Sequence, residues 1–190
     1  MLKNYLEYLS SISKKFAKEQ GIIDIVLYGS FIKSKEEPND IDLILIFLSK
    51  KLNERLEIAQ KFKQQIKNKI KNSDVKTANL IEIFDKNFLA RQGILVEGYS
   101  LLDNIPLAEK MGFGGYSLFT YNLKNLDHNQ KTKFTYSLIG RKKPGILKLV
   151  EARVLGKGAV AIPIQKSAIF DDFLKEWKIN YKERKILISE

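Results

Sequence analysis

In 190 residues the chain has no cysteine, one histidine, one tryptophan and four prolines. Without cysteine there can be no disulfide, thiolate nucleophile or thiolate metal site, which suits a reducing compartment. His128, the single histidine, has no second imidazole for a metal site and no partner for a triad. No eighteen apolar residues run together, and the opening stretch MLKNYLEYLSSISKKFAKEQ is charged throughout. Neither a membrane-spanning helix nor a signal peptide is expected from that pattern. These absences predict a soluble cytoplasmic protein with no membrane partner. Internal repeats and low-complexity tracts are missing too.

What is present is a composition that can fold. Hydrophobic residues make up 44% of the chain, enough to bury a core in one domain or two small ones. The net charge of +11 is unevenly spread: residues 1–103 carry 17 basic against 14 acidic side chains, and residues 104–190 carry 16 against 8. A surplus of that kind attracts polyanions.

Leu2, Tyr5, Leu6, Leu9, Ile12 and Phe16 recur at helical spacing before Gly21, and a second stripe runs from Leu52 to Ile70. Between them IIDIVLY and DIDLILIF read as strands of a covered sheet, and ANLIEIF as a third strand. A helix is expected from Asp85 towards Val96, then a short edge strand in EGYSLL. The stretch DNIPLAEKMGFGG, with one proline and three glycines, marks a domain joint. Beyond it the pattern predicts strand YSLFTY, helix 128–141 opened by an Asp127/Gln130 capping box, strand GAVAIPI, a helix after Ser167 and strand YKERKILI. The tripeptide at 156–158, GKG, lacks the spacing of a phosphate-binding loop and predicts a hairpin or a loop before a strand. Trp177 is expected in the core.

The stretch IIDIVLYGSFIKSKEEPNDIDLILIF (22–47) places Asp40 and Asp42 one residue apart at the mouth of an apolar strand. A carboxylate is seldom buried without a partner, so something positive is expected beside them. Side chains two apart on a strand share a face, so the two carboxylates can hold cations together. Gly29 has no Cβ to keep a phosphate from the backbone, and Ser30 and Lys33 close by offer hydroxyl and ammonium donors.

A strand, Gly29-Ser30, nine residues and then Asp40-Ile41-Asp42 leading another strand resembles the signature of the DNA polymerase β superfamily of nucleotidyltransferases, over roughly residues 20–103. The resemblance implies an α/β (α+β) fold with a mixed sheet and flanking helices. It also implies that Asp40 and Asp42 bind Mg²⁺ or Mn²⁺, and that Gly29, Ser30 and Lys33 hold an NTP. Phe31 stands where the family usually carries arginine, leaving Lys33 and Lys35 as substitutes. A third acidic residue from a neighbouring strand usually completes the family's site. Here Asn79 matches that position best, Glu82 is the acid within the apolar run, and Asp74 is a third candidate. The expected catalytic set is therefore Asp40, Asp42 and Glu82. The alternative is a non-catalytic binding protein on a degenerate nucleotidyltransferase fold.

Residues 104–190 are expected to form a small basic α/β domain, following a first domain at 1–103. Lys131, Arg141, Lys142 and Lys143 cluster on one predicted helix and its end, among Tyr121, Phe134 and Tyr136. Cations can neutralise phosphates and exposed aromatics can stack unpaired bases, so RNA is one expected acceptor and a protein hydroxyl the other.

Overall fold

A computed structural model describes residues 2–29 and 40–189. The chain divides into two units, Met1–Gly112 and Phe113–Glu190.

The first unit is a five-stranded mixed sheet in the order β3-β2-β1-β4-β5. Helix α1 (Leu2–Gln20) precedes β1 (Ile22–Tyr28), which pairs antiparallel with β2 (Ile41–Phe47). Helix α2 (Leu52–Ile66) then crosses over to β3 (Ser73–Asn79), parallel to β2. A short β4 (Tyr99–Ser100) flanks β1 on its other side and is paired by β5 (Ile105–Pro106). Gly21 ends α1 with φ +66°, the left-handed turn that the sequence predicts there.

Alternation along the strands gives the sheet two buried faces. Ile25, Leu27, Leu43, Leu45 and Phe47 point to the side covered by Leu9 and Phe16 of α1 and by Ile58, Phe62 and Ile66 of α2. Val26, Tyr28, Ile44 and Ile46 point the other way, onto Ala78, Ile83, Ile94 and Leu107. Such double burial explains the near-continuous apolar runs of β1 and β2.

A polar tie crosses the second face. Asp24 on β1 is almost wholly buried; it accepts hydrogen bonds from Ser100 Oγ (2.9 Å) and Lys110 Nζ (2.7 Å). Lys110, at the end of α4 (Leu107–Lys110), also meets Asp103 Oδ2 at 2.5 Å. Residues 104–112, which the sequence assigns to the second half, thus belong to the first unit.

The expected third strand lies elsewhere. Only Ala78 and Asn79 of ANLIEIF are in β3, and Leu80–Ile83 form the single turn α3. The expected helix from Asp85 gives way to turns and a π-helical turn at Gly93–Glu97.

The second unit is an antiparallel sheet in the order β7-β8-β6-β9. Its strands are β6 (Phe113–Asn122), β7 (Arg153–Gly156), β8 (Ala159–Pro163) and β9 (Asn180–Ser189). Helices α5 (His128–Ile139) and α7 (Ser167–Glu176) put Phe134, Leu138, Phe170 and Leu174 against Phe119, Val160 and Ile162 of the sheet. A four-residue helix, α6 (Ile146–Leu149), adds Ile146 and Leu147 to that cluster. The Asp127/Gln130 box forms as expected, with Gln130 N donating to Asp127 Oδ1 at 2.8 Å and Asp127 N to Gln130 Oε1 at 2.9 Å. Gly156-Lys157-Gly158 closes the β7–β8 hairpin, and Trp177 packs edge-on against Phe134 at 5.5 Å. Strand β7 is exposed at all four residues, Val154 and Leu155 included, so no alternation of buried and exposed positions marks it.

Candidate functional site

Strand register brings three side chains into one row across the first sheet. Tyr28 on β1 is opposite Asp42 on β2, and Asp42 is opposite Asp74 on β3. All three face the same side, at the end of the sheet where β2 and β3 begin. Asp40 lies exposed just before β2, and its charge reaches Asp42.

The backbone makes room for Asp42 in a specific way. Gly29, directly after β1, has φ +82°, and a Cβ there would lie 2.2 Å from Asp42 Oδ2. Any L-residue would strain the backbone and overlap the carboxylate. Glycine at 29 is thus required by the carboxylate as well as by any phosphate that approaches the turn.

Electrostatics mark the row as a place for a cation. Desolvation pushes the Asp42 carboxyl above its usual range, the negative charges of Asp40 and Asp74 push it the same way, and Lys76 partly offsets them. Lys76, two residues along β3, meets Asp74 Oδ2 at 3.2 Å. That pair is exposed, Asp40 is exposed and Asp42 is half-buried, so the positive charge expected beside Asp40 and Asp42 reaches Asp42 only through space, from Lys76 of the neighbouring strand. The Tyr28 hydroxyl is buried without a geometrically sound hydrogen-bond partner among the described residues. Burial raises its pKa, and the nearby Lys76 charge opposes the shift.

Glu82 does not join this row. It follows the opposite end of β3, about 17 Å along the strand from the level of Asp74 at the usual rise per residue. There it takes a bidentate ion pair from the buried Arg55 of α2, at 2.6 and 3.0 Å, and a third hydrogen bond from the Asn79 amide at 3.0 Å. The Arg55 hydrogen bonds hold the Glu82 carboxyl below its usual range. Asn79, the best sequence match to the family's third acidic position, is also at that far end. Its side chain exchanges hydrogen bonds with the Lys50 backbone at 2.9 and 3.1 Å. Asp74 is the acid that the fold aligns with Asp42. The signal for it was the period-two pattern of Asp74-Val75-Lys76-Thr77, with β-branched residues on one face, after a helix long enough for a crossover.

Ser30 and Lys33, the expected phosphate contacts, lie outside the described residues, as does Phe31. Among the described residues no three acidic or histidine side chains are close enough together to hold a metal on their own. The row still fits a divalent cation in kind: it offers hard oxygen donors, one of them poorly solvated and crowded by like charge. Magnesium commonly takes only one or two carboxylates, with substrate phosphate oxygens and water completing its shell.

In the second unit Arg141, Lys142 and Lys143 are exposed in the turn after α5, and Lys131 is exposed on the helix. Of the aromatics among them only Tyr136 is exposed. Phe134 is fully buried, Tyr121 leans edge-on against it at 5.9 Å, and the Arg141 guanidinium covers the Tyr136 ring at 5.1 Å. His128 is an exposed residue at the start of α5.

The family described as Polymerase beta, Nucleotidyltransferase matches residues 10–97, a segment that runs from α1 to the π-helical turn. No curated protein matches the chain.

Proposed function

Residues 10–97 are a nucleotidyltransferase domain of the DNA polymerase β superfamily, and from that premise we propose that the chain moves a nucleoside monophosphate from an NTP to a hydroxyl, with Mg²⁺ or Mn²⁺ held at Asp40, Asp42 and Asp74. The observation that carries this reading is the alignment of Asp42 with Asp74 beside a glycine whose missing Cβ leaves room for the carboxylate. Two divalent cations, when bound, polarise the α-phosphate and neutralise charge on the attacking and leaving oxygens.

The chain's own residues supply the rest. Asp42 and Asp40 present carboxylate oxygens from the start of β2. Asp74 replaces Glu82 as the third acid and takes the proton of the acceptor hydroxyl at a carboxylate oxygen. Lys76 balances Asp74 before a cation arrives. Gly29, Ser30 and Lys33 receive the triphosphate. The alternative, a non-catalytic nucleic-acid-binding or partner-binding protein on a degenerate fold, rests on Asn79 at the third acidic position and on Phe31 where the family carries arginine, a residue outside the described ones. Asn79 lies at the wrong end of β3 for that role.

For the acceptor we favour an RNA end in the cytoplasm, supported by the excess of 16 basic over 8 acidic side chains in residues 104–190 and by the exposed Arg141-Lys142-Lys143 turn. The test is incubation of the protein with each α-labelled NTP, total RNA and cell proteins in Mg²⁺ or Mn²⁺. Label should pass to RNA, and Asp40→Asn with Asp42→Asn should abolish it. Label on protein alone would move the acceptor to a protein hydroxyl. No transfer to any acceptor, with no Mn²⁺ binding, would refute the reading.

A further inference from the structure

The second unit contains a half-enclosed pocket of about 970 Å³ with no part in the chemistry proposed above. Its walls are α5, the β7–β8 hairpin, the segment after β6 and Leu147 of α6. That volume lies at the upper end of the roughly 300–1,000 Å³ typical of small-molecule sites. The lining is overwhelmingly apolar.

Polarity within the pocket is segregated. Lys131 is near the start of α5, Lys157 is in the β7–β8 turn, and Lys124 follows β6. Tyr121 N donates to Gly158 O at 2.8 Å, which holds the Lys124 segment against the Lys157 turn. Among the described residues none of the three lysines has an acidic partner. The far end is lined by Leu138, Ile139, Leu147 and Val154. From Lys131 to Ile139 is eight residues of helix, about 12 Å.

Two of the other polar side chains hydrogen-bond within the chain. Thr135 Oγ1 donates to the Lys131 carbonyl at 2.8 Å, and Asn122 Oδ1 accepts from Lys124 N at 3.2 Å. Meanwhile Ile139 and Val154 are 63% and 62% exposed, an apolar end that a ligand would take out of water.

We propose that this pocket binds an amphipathic anion, a linear alkyl chain with one anionic head, the chain lying against Leu138, Ile139 and Val154 and the head meeting Lys124, Lys131 and Lys157. The head is a carboxylate or a phosphate, since ammonium groups recognise either as point charges.

The full chain is titrated calorimetrically, below micelle-forming concentrations, with alkyl carboxylates of eight to fourteen carbons, dodecyl phosphate and dodecanol. Carboxylate affinity should rise about three- to fourfold per methylene and fall with added salt. Dodecanol should bind at least about tenfold more weakly than dodecanoate, for want of the charged head. The variant K124Q/K131Q/K157Q should lose about that factor for both anions and none for dodecanol. Val154→Trp, at an exposed position, should block all three ligands while circular dichroism stays unchanged. The tighter of dodecanoate and dodecyl phosphate identifies the head. Any one of three results overturns the proposal: no saturable binding at any chain length, dodecanol as tight as dodecanoate, or full binding by Val154→Trp. An acidic leucine/glutamate helical peptide that binds where the alkyl anions do not would overturn it in favour of a protein partner.

Discussion

Replacing Gly29 by alanine puts the site's geometry to a quantitative test. The substitution carries two separable costs. The first is conformational: a residue with a Cβ at φ +82° gives up about 1–2 kcal/mol. The second is steric, because the new Cβ would be 2.2 Å from Asp42 Oδ2. The carboxylate must turn away, at roughly 0.5–1.5 kcal/mol for an off-rotamer side chain. Gly29→Ala should therefore lose about 1.5–3.5 kcal/mol in urea unfolding. Two controls divide that total. Gly21 has φ +66° and open space, with nothing within 4 Å of where a Cβ would lie, so Gly21→Ala should show the conformational cost alone. In an Asp42→Ala background the clash disappears, and Gly29→Ala should again cost only about 1–2 kcal/mol. Mn²⁺ titration adds an independent readout: Gly29→Ala should bind it far more weakly and Gly21→Ala should bind as wild type. Equal costs for Gly29→Ala with and without Asp42, together with unchanged Mn²⁺ affinity, would refute the packing of Gly29 on Asp42.

Three further outcomes are expected. Since the folded Asp42 carboxyl is held above its ordinary value, chiefly by desolvation, folding is penalised as pH rises through that raised value; Asp42→Asn should raise the melting temperature at pH 7 in the absence of metal, while Mn²⁺ binding is lost. Glu82→Gln should destabilise by about 1–3 kcal/mol by leaving the buried Arg55 poorly paired, yet spare transfer, whereas Asp74→Asn should spare stability and cut transfer by a factor of roughly 10² to 10⁴; the Glu82 contribution is present above the ordinary carboxylate pKa and fades as pH falls through its lowered one, so unfolding measured from pH 7 to 3 should show the mutant's deficit shrinking. Replacing Arg141, Lys142 and Lys143 by alanine should weaken RNA binding alike across sequences and reduce the slope of log K against log salt by about 2, at about 0.7 per single-strand phosphate contact.

Legibility in the sequence followed burial. Strands β1 and β2 are covered on both faces, so their apolar runs and the paired aspartates at the mouth of β2 could be read directly. The stripes of α1 and α2 were equally plain because each helix buries one face. Strand β3 is at the sheet edge and alternates between half-buried and exposed residues until Ala78, so its polar sequence resembled a loop. The apolar residues that follow drew the expected strand towards Glu82, and the third acid with it. There, Ile81 and Phe84 are exposed, and the Glu82 carboxylate is held by Arg55 of a distant helix, a pairing that no local pattern announces. In the second unit the spacing of α5 exposed its buried face. The pocket beside it depends on a hairpin whose outer strand carries no burial signal.

The tie between Asp24 and Lys110 bears on where this protein can be cut. Excision after residue 103, at the boundary that composition suggests, would remove Lys110 and leave a carboxylate inside the sheet with Ser100 as its remaining described partner. Orphaning one member of a buried ion pair typically costs roughly 3–5 kcal/mol, a large part of what a domain of this size has to spare. A fragment ending at Gly112 keeps the lysine, the β4–β5 pairing and Leu107 in place. The last few residues of the first unit act as a latch on its central strand, so expression trials of the isolated unit should succeed or fail on nine residues outside the candidate site.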